Sequence, residues 1–85
     1  MKKVVVYSKD GCNFCIQALR ACKQIAVLDK DFKYIVLKLH EDYTDLEFKM
    51  IFPDCKYLPQ IIVDGTHVGG WDEWKPAVLA KIEGA

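Results

Sequence analysis

A short run of β-branched residues leads directly into a tight turn and a pair of cysteines, and this arrangement constrains the fold more than any other feature. The segment Lys3 to Tyr7 predicts a buried strand, because its three consecutive valines favour extended backbone. Residues 8–11, Ser-Lys-Asp-Gly, predict the turn, and the C-x-x-C pair Cys12 and Cys15 follows at once. The cysteines therefore stand at the junction between a strand and the next element.

That next element is an amphipathic helix. From Cys12 to about Leu28 the apolar residues recur at helical spacing, at Cys15, Ala18, Leu19, Cys22, Ile25 and Ala26. A polar break follows, and residues Phe32 to Leu39 alternate as a second strand. Strand, helix and strand form a βαβ unit, which predicts two parallel strands in one sheet with a right-handed crossover.

Two further helices are predicted from the capping residues and prolines at their ends. Thr44 is the expected N-cap of a short helix, with Glu47 as its capping-box partner and Pro53 as its end. The last helix is expected to begin with Asp72 as its cap, and Pro76 is a candidate for its first regular position.

A β-hairpin is predicted between these helices. Gln60 to Val63 and Thr66 to Val68 are short strands, and the intervening Asp64-Gly65 suits a type I′ turn. The element order βαβαββα predicts an α/β protein, a three-layer α/β/α sandwich around a four-stranded mixed sheet. We expect residues 1–85 to form a single domain, since two cores would need a longer chain.

Charge and hydropathy narrow the classes of partner. Twelve basic residues balance twelve acidic ones, so the chain lacks the broad positive field that nucleic acid or anionic lipid would require. Its longest apolar runs, such as Val4–Tyr7 and Tyr34–Leu37, are far shorter than the roughly 18 residues of a membrane span. They are also shorter than the apolar region of a signal peptide. We expect a cytoplasmic protein with neither a nucleic-acid nor a membrane partner.

The four cysteines raise the alternatives of a disulfide scaffold, a zinc site and a redox dithiol. A scaffold would spread its cysteines over loops, whereas here two form a tight pair. No second pair follows at zinc spacing, and His40 and His67 are far apart, so no metal is expected. Cys22 shares the apolar helical face and is assigned to packing, while Cys55 is interpreted as incidental. A redox dithiol is the leading interpretation.

The position of the pair assigns different roles to its two thiols. Cys12 stands at the helix start, where free N–H groups and the helix dipole stabilise a thiolate. A low pKa changes the rate of attack little but makes Cys12 a better leaving group, so turnover gains most. Cys15 lies one turn deeper and is expected to be the resolving thiol.

Three motifs carry a resemblance to a known family. They are K-D-G-C-N-F-C at Lys9 to Cys15, Y-L-P-Q-I at Tyr57 to Ile61, and G-G-W-D-E at Gly69 to Glu73. In this order and spacing the chain resembles a dithiol glutaredoxin over essentially its whole length. The resemblance implies a thioredoxin fold in which Pro59 is cis and faces the cysteines.

The resemblance also implies a glutathione site beside the catalytic Cys12 and Cys15. The residues implied to bind glutathione are Lys9, Phe14, Tyr57, Leu58, Pro59, Gly70, Trp71, Asp72 and Glu73. Among the implied roles, Lys9 meets a carboxylate and the backbone of Leu58 pairs with the cysteinyl part. The helix start after Gly70 receives the γ-glutamyl carboxylate, and Asp72 or Glu73 holds the ammonium. Asn13, Phe14, Tyr57 and Glu73 depart from the residues common in the family.

The expected function is glutathione-dependent reduction of protein disulfides and glutathione mixed disulfides by a monomer, with glutathione as the reductant. Ribonucleotide reductase is a candidate target by family analogy. One alternative is a glutaredoxin-like donor reduced by thioredoxin reductase. Another is a carrier in which Cys12 and glutathione hold a [2Fe–2S] cluster between two chains. An inert interaction domain is the third.

Overall fold

A computed structural model describes residues 1–84, which form a four-stranded sheet and three helices. The elements in chain order are β1 (Lys3–Ser8), α1 (Asn13–Leu28), β2 (Lys33–Lys38), α2 (Asp45–Ile51), β3 (Gln60–Val63), β4 (Thr66–Gly69) and α3 (Trp71–Glu83). The strands lie in the order β2-β1-β3-β4, with β1 parallel to β2 and the other pairs antiparallel. The predicted βαβαββα order and mixed sheet are confirmed.

The main core lies between the sheet and the helices α1 and α3. Alternate residues of β1 point to this face, because successive side chains of a strand point to opposite faces. The fully or almost fully buried residues of the cluster include Val4, Val6, Ala18, Cys22, Ile25, Ile61, Trp74 and Val78. Cys22 is therefore a packing residue, as its helical position predicts.

Aromatic side chains cover the other face of the sheet beside α2. Tyr7 of β1 makes edge contacts with Tyr43 and Phe52, with ring centroids 5.1 and 5.0 Å apart. The Tyr43 hydroxyl donates a hydrogen bond of 2.6 Å to the carbonyl of Ser8, and burial raises the pKa of Tyr43 to about 12. These contacts hold the segment around α2 near the end of β1, where the cysteines follow.

The turn between β3 and β4 has the conformation that its sequence predicts. Asp64 and Gly65 both have positive φ, at 50° and 84°, as a type I′ turn requires. The Asp64 carboxylate also accepts hydrogen bonds from the backbone N–H groups of Lys2 and Lys3, at 2.9 and 2.8 Å. These two bonds lower the pKa of Asp64 below its ordinary value of 3.8. The hairpin thus fixes the N-terminus of β1.

Replacing Asp64 by asparagine should reduce stability in a pH-dependent way. A carboxyl group with a lowered pKa in the folded state stabilises the fold above its ordinary pKa, and this contribution disappears as pH falls through the folded-state pKa. Asparagine tolerates positive φ and keeps an acceptor, so Asp64→Asn removes the charge alone. We expect the difference in unfolding free energy from wild type to be constant above about pH 5 and to shrink below about pH 4. Urea denaturation across this range measures it, and a pH-independent difference would contradict the assignment.

Two expectations about α3 are wrong. Its N-cap is Gly70 rather than Asp72, because the side chain of Glu73 reaches back and accepts the Gly70 N–H at 2.7 Å. Pro76 lies inside the helix, not at its first position. Proline has no N–H, so the carbonyl of Asp72 lacks its usual helical donor. The helix therefore begins at Trp71, directly beside the glycines.

The remaining boundaries differ little from expectation. α1 begins at Asn13 with Cys12 as its N-cap, and α2 has the predicted capping box between Thr44 and Glu47. β2 is one residue shorter at each end than the predicted strand. Within residues 1–84, no helix is long and apolar enough to cross a membrane.

Candidate active site

Cys12 occupies the N-cap of α1. Its sulfur accepts a hydrogen bond of 3.2 Å from the backbone N–H of Cys15. The first turn of α1 carries no acidic side chain that would oppose a negative charge there. A thiolate at Cys12 is therefore stabilised by a backbone donor and by the positive end of the helix dipole.

The two cysteines are joined in a disulfide, with their Cα atoms 5.2 Å apart. Both residues are buried in this oxidised form, with 8% of Cys12 and 4% of Cys15 exposed. The difference has the predicted direction but is small. Cys12 is the more exposed of the two because it caps the helix, whereas Cys15 lies inside the first turn.

The loop before β3 faces Cys12. The Leu58–Pro59 peptide bond is cis, as the resemblance implies, and Pro59 is fully buried. The carbonyl oxygen of Leu58 lies 3.6 Å from the sulfur of Cys12. The polar backbone of Leu58 is thus next to the sulfur of Cys12.

A groove of about 120 Å³ lies beside this loop. It is lined by Phe14, Tyr57, Leu58, Pro59, Gly70, Trp71, Asp72 and Glu73. These are the residues that the resemblance implies for glutathione, with the exception of Lys9. Three segments far apart in sequence therefore meet here: the start of α1, the cis-proline loop and the start of α3.

The sequence model of the glutaredoxin family matches residues 4–68, which span both the cysteine pair and the cis-proline loop. The chain belongs to the glutaredoxin family. Glutaredoxin from Vibrio cholerae is 29% identical over 75 residues, which cover 85% of each chain. Glutaredoxin 1 from Escherichia coli is 27% identical over 84 residues, covering 95% of this chain and 98% of that protein.

Solved structures agree with this family assignment at the level of the fold. Oxidised Escherichia coli glutaredoxin superposes with a TM-score of 0.78 at 22% identity, covering 95% of this chain and 98% of that one. Glutaredoxin 1 from Francisella tularensis, complexed with cacodylate, has a TM-score of 0.56 at 26% identity and covers 98% of both chains. The sandwich and its sheet are therefore a glutaredoxin-type thioredoxin fold.

Family membership and the Cys12–Cys15 pair make this glutaredoxin a thiol–disulfide oxidoreductase. Its active-site disulfide accepts two electrons when it opens to a dithiol, and the dithiol returns them to a substrate disulfide. The other thiols lie elsewhere. Burial raises the pKa of Cys22 to about 12, which keeps it protonated and unreactive, whereas Cys55 is a free, half-buried thiol.

Glu73 is already bonded within the protein. One carboxylate oxygen accepts both the Gly70 N–H at 2.7 Å and the Tyr57 hydroxyl at 3.4 Å. Asp72, at the same helix start, is exposed as Glu73 is, but its carboxylate accepts no hydrogen bond within residues 1–84. Of the two carboxylates predicted to hold an ammonium group, Asp72 is the one whose charge is open to the groove.

Substituting Glu73 should change the titration of Tyr57. The negative charge of Glu73 is the largest cause that raises the pKa of Tyr57 above 10.0. Glu73→Gln keeps an acceptor for the Gly70 N–H but removes this charge, so Tyr57 should ionise at lower pH. Tyrosinate absorbance measures the shift, with Tyr57→Phe in both backgrounds to identify the signal. An unchanged Tyr57 titration would contradict the contact.

Close packing explains the two glycines before α3. Gly69 has a φ of 124°, and a Cβ there would lie 2.9 Å from the Glu73 side chain. A Cβ on Gly70 would lie 3.0 Å from the Tyr57 ring and 3.4 Å from the carbonyl oxygen of Pro59. Glycine therefore lets the start of α3 approach the cis-proline loop.

Lys9 lines a second cavity, of about 300 Å³, which shares Tyr57 and Leu58 with the groove. Two further lysines line this cavity, Lys49 of α2 and Lys56 before the cis-proline loop. Neither lysine is among the site residues predicted from the sequence. Lys56 adjoins a motif and could have been found, whereas Lys49 reaches the cavity only through the placement of α2. The three lysines outnumber the one acidic residue of the lining, Asp45, which gives this side a positive charge that suits a carboxylate.

No group of three or more histidine, cysteine or acidic side chains within residues 1–84 is arranged to hold a metal ion.

Proposed function

We propose that this glutaredoxin uses glutathione, reducing glutathione mixed disulfides and protein disulfides through Cys12 and Cys15. The observation that carries the proposal is the groove beside Cys12. It combines the backbone of Leu58 with the N-terminus of α3, so a peptide backbone and a carboxylate each meet suitable groups. The similarity to relatives named glutaredoxin supports the same proposal.

Glutathione would bind in an extended form across the groove. The N–H and C=O of Leu58 pair with its cysteinyl residue, which brings its sulfur toward Cys12. The free N–H groups at the start of α3 receive the γ-glutamyl carboxylate, and Asp72 holds the ammonium. Lys9 attracts the glycyl carboxylate from the side of the second cavity. Phe14 and Trp71 flank the ligand.

Reduction of a mixed disulfide needs Cys12 alone. The Cys12 thiolate attacks the glutathione sulfur of the mixed disulfide and forms a new bond between the two sulfurs. The thiolate of the substrate protein leaves and takes a proton from solvent. A second glutathione thiolate then attacks the glutathione sulfur of this adduct. Oxidised glutathione leaves, and the Cys12 thiolate is restored.

Reduction of a protein disulfide needs both thiols. Cys12 attacks one substrate sulfur and releases the other as a thiolate. Cys15 then attacks the sulfur of Cys12, which forms the intramolecular disulfide and releases the reduced substrate. Two glutathione molecules return the pair to the dithiol and become one molecule of oxidised glutathione. The short Cα distance between the cysteines lets this bond form within one helical turn.

A coupled assay with separate reductants tests the proposal. Oxidised protein is supplied either with glutathione and glutathione reductase or with thioredoxin reductase, and NADPH consumption is followed with a mixed-disulfide substrate. We expect turnover only in the first mixture, because the groove offers paired groups for a tripeptide. Turnover with thioredoxin reductase and none with glutathione would overturn the proposal. A brown dimeric protein with little turnover after anaerobic purification would instead favour a cluster carrier.

A substitution in the groove should separate binding from chemistry. Asp72→Asn keeps the helix start but removes the charge proposed to hold the ammonium. We expect the KM for glutathione to rise roughly three- to tenfold with little change in kcat, since this contact is the same before and during the reaction. Glu83→Gln, on the same helix but outside the groove, is the matched charge control because it also removes one negative charge. An unchanged KM for Asp72→Asn would remove this residue from the site.

A further inference from the structure

Gln60, the residue after the cis-proline, is a buried amide whose two ends are both bonded. It is 1% exposed. Its Nε2 donates a hydrogen bond of 3.0 Å to the carbonyl of Tyr57, and its Oε1 lies 2.7 Å from His67 Nε2. A buried amide is unfavourable unless both ends find partners, so this pairing fixes the side chain of Gln60.

The direction of these bonds follows from the chemistry of the groups. Only the nitrogen end of the Gln60 amide can donate to a carbonyl, so the oxygen end must face His67. His67 must then carry a proton on Nε2, and it is the donor. His67 lies opposite Ile62 in the hairpin register, on the sheet face that Gln60 shares. Its ring packs against Phe52 in a tilted arrangement, with centroids 4.7 Å apart.

The bonded carbonyl belongs to the peptide unit that carries the Leu58 N–H. That unit is planar and trans, so its C=O and N–H point in opposite directions. When Gln60 holds the Tyr57 carbonyl on one side, the Leu58 N–H is fixed on the other. Leu58 lines the groove, and its own carbonyl lies beside Cys12.

We infer that His67, acting through Gln60, is a positioning residue that holds the Leu58 N–H in the orientation that binds the substrate. The inference deepens the proposed function and rests on it for the identity of the substrate, glutathione. His67 touches no reacting atom. Its effect reaches the groove through two hydrogen bonds and one rigid peptide plane.

Two substitutions of His67 separate the hydrogen bond from packing. His67→Phe keeps an aromatic ring against Phe52 but cannot donate to Gln60. His67→Gln places an amide donor near the position of Nε2 and should restore the bond. Val63→Ala on β3 is the control for general loss of stability, because Val63 packs against the core and lies outside this network.

The first measurement is the amide resonance of Leu58 in ¹H–¹⁵N spectra of the free protein. His67→Phe should shift this resonance, while His67→Gln and Val63→Ala should leave it near its wild-type position. The second measurement is the KM for a glutathione mixed disulfide. It should rise roughly three- to tenfold in His67→Phe with kcat within about twofold, the size expected for one neutral hydrogen bond.

A lower melting temperature in His67→Phe with an unmoved Leu58 resonance and an unchanged KM would overturn the inference. So would a His67→Gln variant that behaves like His67→Phe. If the wild-type protein shows no turnover with glutathione, the proposed function fails. In that case the Leu58 resonance still decides whether His67 orients this peptide plane.

Discussion

Cys12→Ser should abolish reduction of a glutathione mixed disulfide, lowering turnover by at least about a thousandfold, because a serine hydroxyl does not ionise near neutral pH to replace the attacking thiolate. Cys15→Ser should retain a substantial part of the same turnover, since that reaction passes through Cys12 alone. With a protein disulfide as substrate, both variants should fail, because only Cys15 resolves the intermediate. Steady-state assays with the two substrates measure this contrast.

Cys22→Ser is not a suitable control for this pair, because it would bury a hydroxyl in the core. Cys55→Ser is the better one, since Cys55 is half-buried and outside the disulfide. We expect it to keep wild-type turnover with both substrates. Equal loss in Cys12→Ser and Cys15→Ser on the mixed disulfide would contradict the separate roles.

Trp74→Ala should cause the largest loss of stability of any single truncation in α3. Trp74 is fully buried among the core residues, and truncating a buried aromatic side chain lowers the unfolding free energy by about 3–5 kcal/mol. Small domains have total stabilities of about 5–15 kcal/mol, so much of the fold's stability depends on this side chain. Urea or guanidinium denaturation measures the change.

Trp74→Phe separates the effect of the indole N–H from the effect of the aromatic volume. Within residues 1–84, the indole Nε1–H of Trp74 is buried and has no hydrogen-bond partner. Phenylalanine removes this unfavourable donor while it keeps much of the apolar volume, so the loss should be about 1–2 kcal/mol. A Trp74→Phe loss as large as that of Trp74→Ala would show that the indole group itself stabilises the core.

Features that depend on local sequence are predicted well. The strands, the helix periodicity and the Asp64-Gly65 turn follow from spacing and from backbone preferences of neighbouring residues. The cysteine pair at a helix start also depends on adjacent positions, and the resemblance adds the cis-proline loop. The groove residues come together as the three motifs imply, with Lys9 on the neighbouring cavity.

The hydrogen bonds of a side chain are harder to predict from sequence when several groups in the fold could be its partner. Asp72 and Gly70 were both able to cap α3, and the choice depends on Glu73 turning back to the Gly70 N–H. The same contact decides which carboxylate is left open to the groove. The bond between Gln60 and His67 requires the register of β3 and β4, which the sequence of either strand does not specify.

The placement of Lys49 illustrates the same limit. On sequence alone α2 is a short helix with a capping box, and nothing in it indicates which neighbour it faces. The contacts of Phe48 and Phe52 with aromatic residues of the sheet side orient the helix, and Lys49 then lines the cavity beside Lys9. The positive side of the site is thus a product of tertiary packing.

The use of glutathione by Cys12 is tested by trapping glutathione on this thiol. Reduced Cys15→Ser protein is incubated with oxidised glutathione, and its peptides are identified by mass spectrometry. We expect one glutathione per chain, on the peptide that contains Cys12, and we expect added glutathione to release it. Absence of an adduct, or an adduct on Cys55 in place of Cys12, would contradict this expectation.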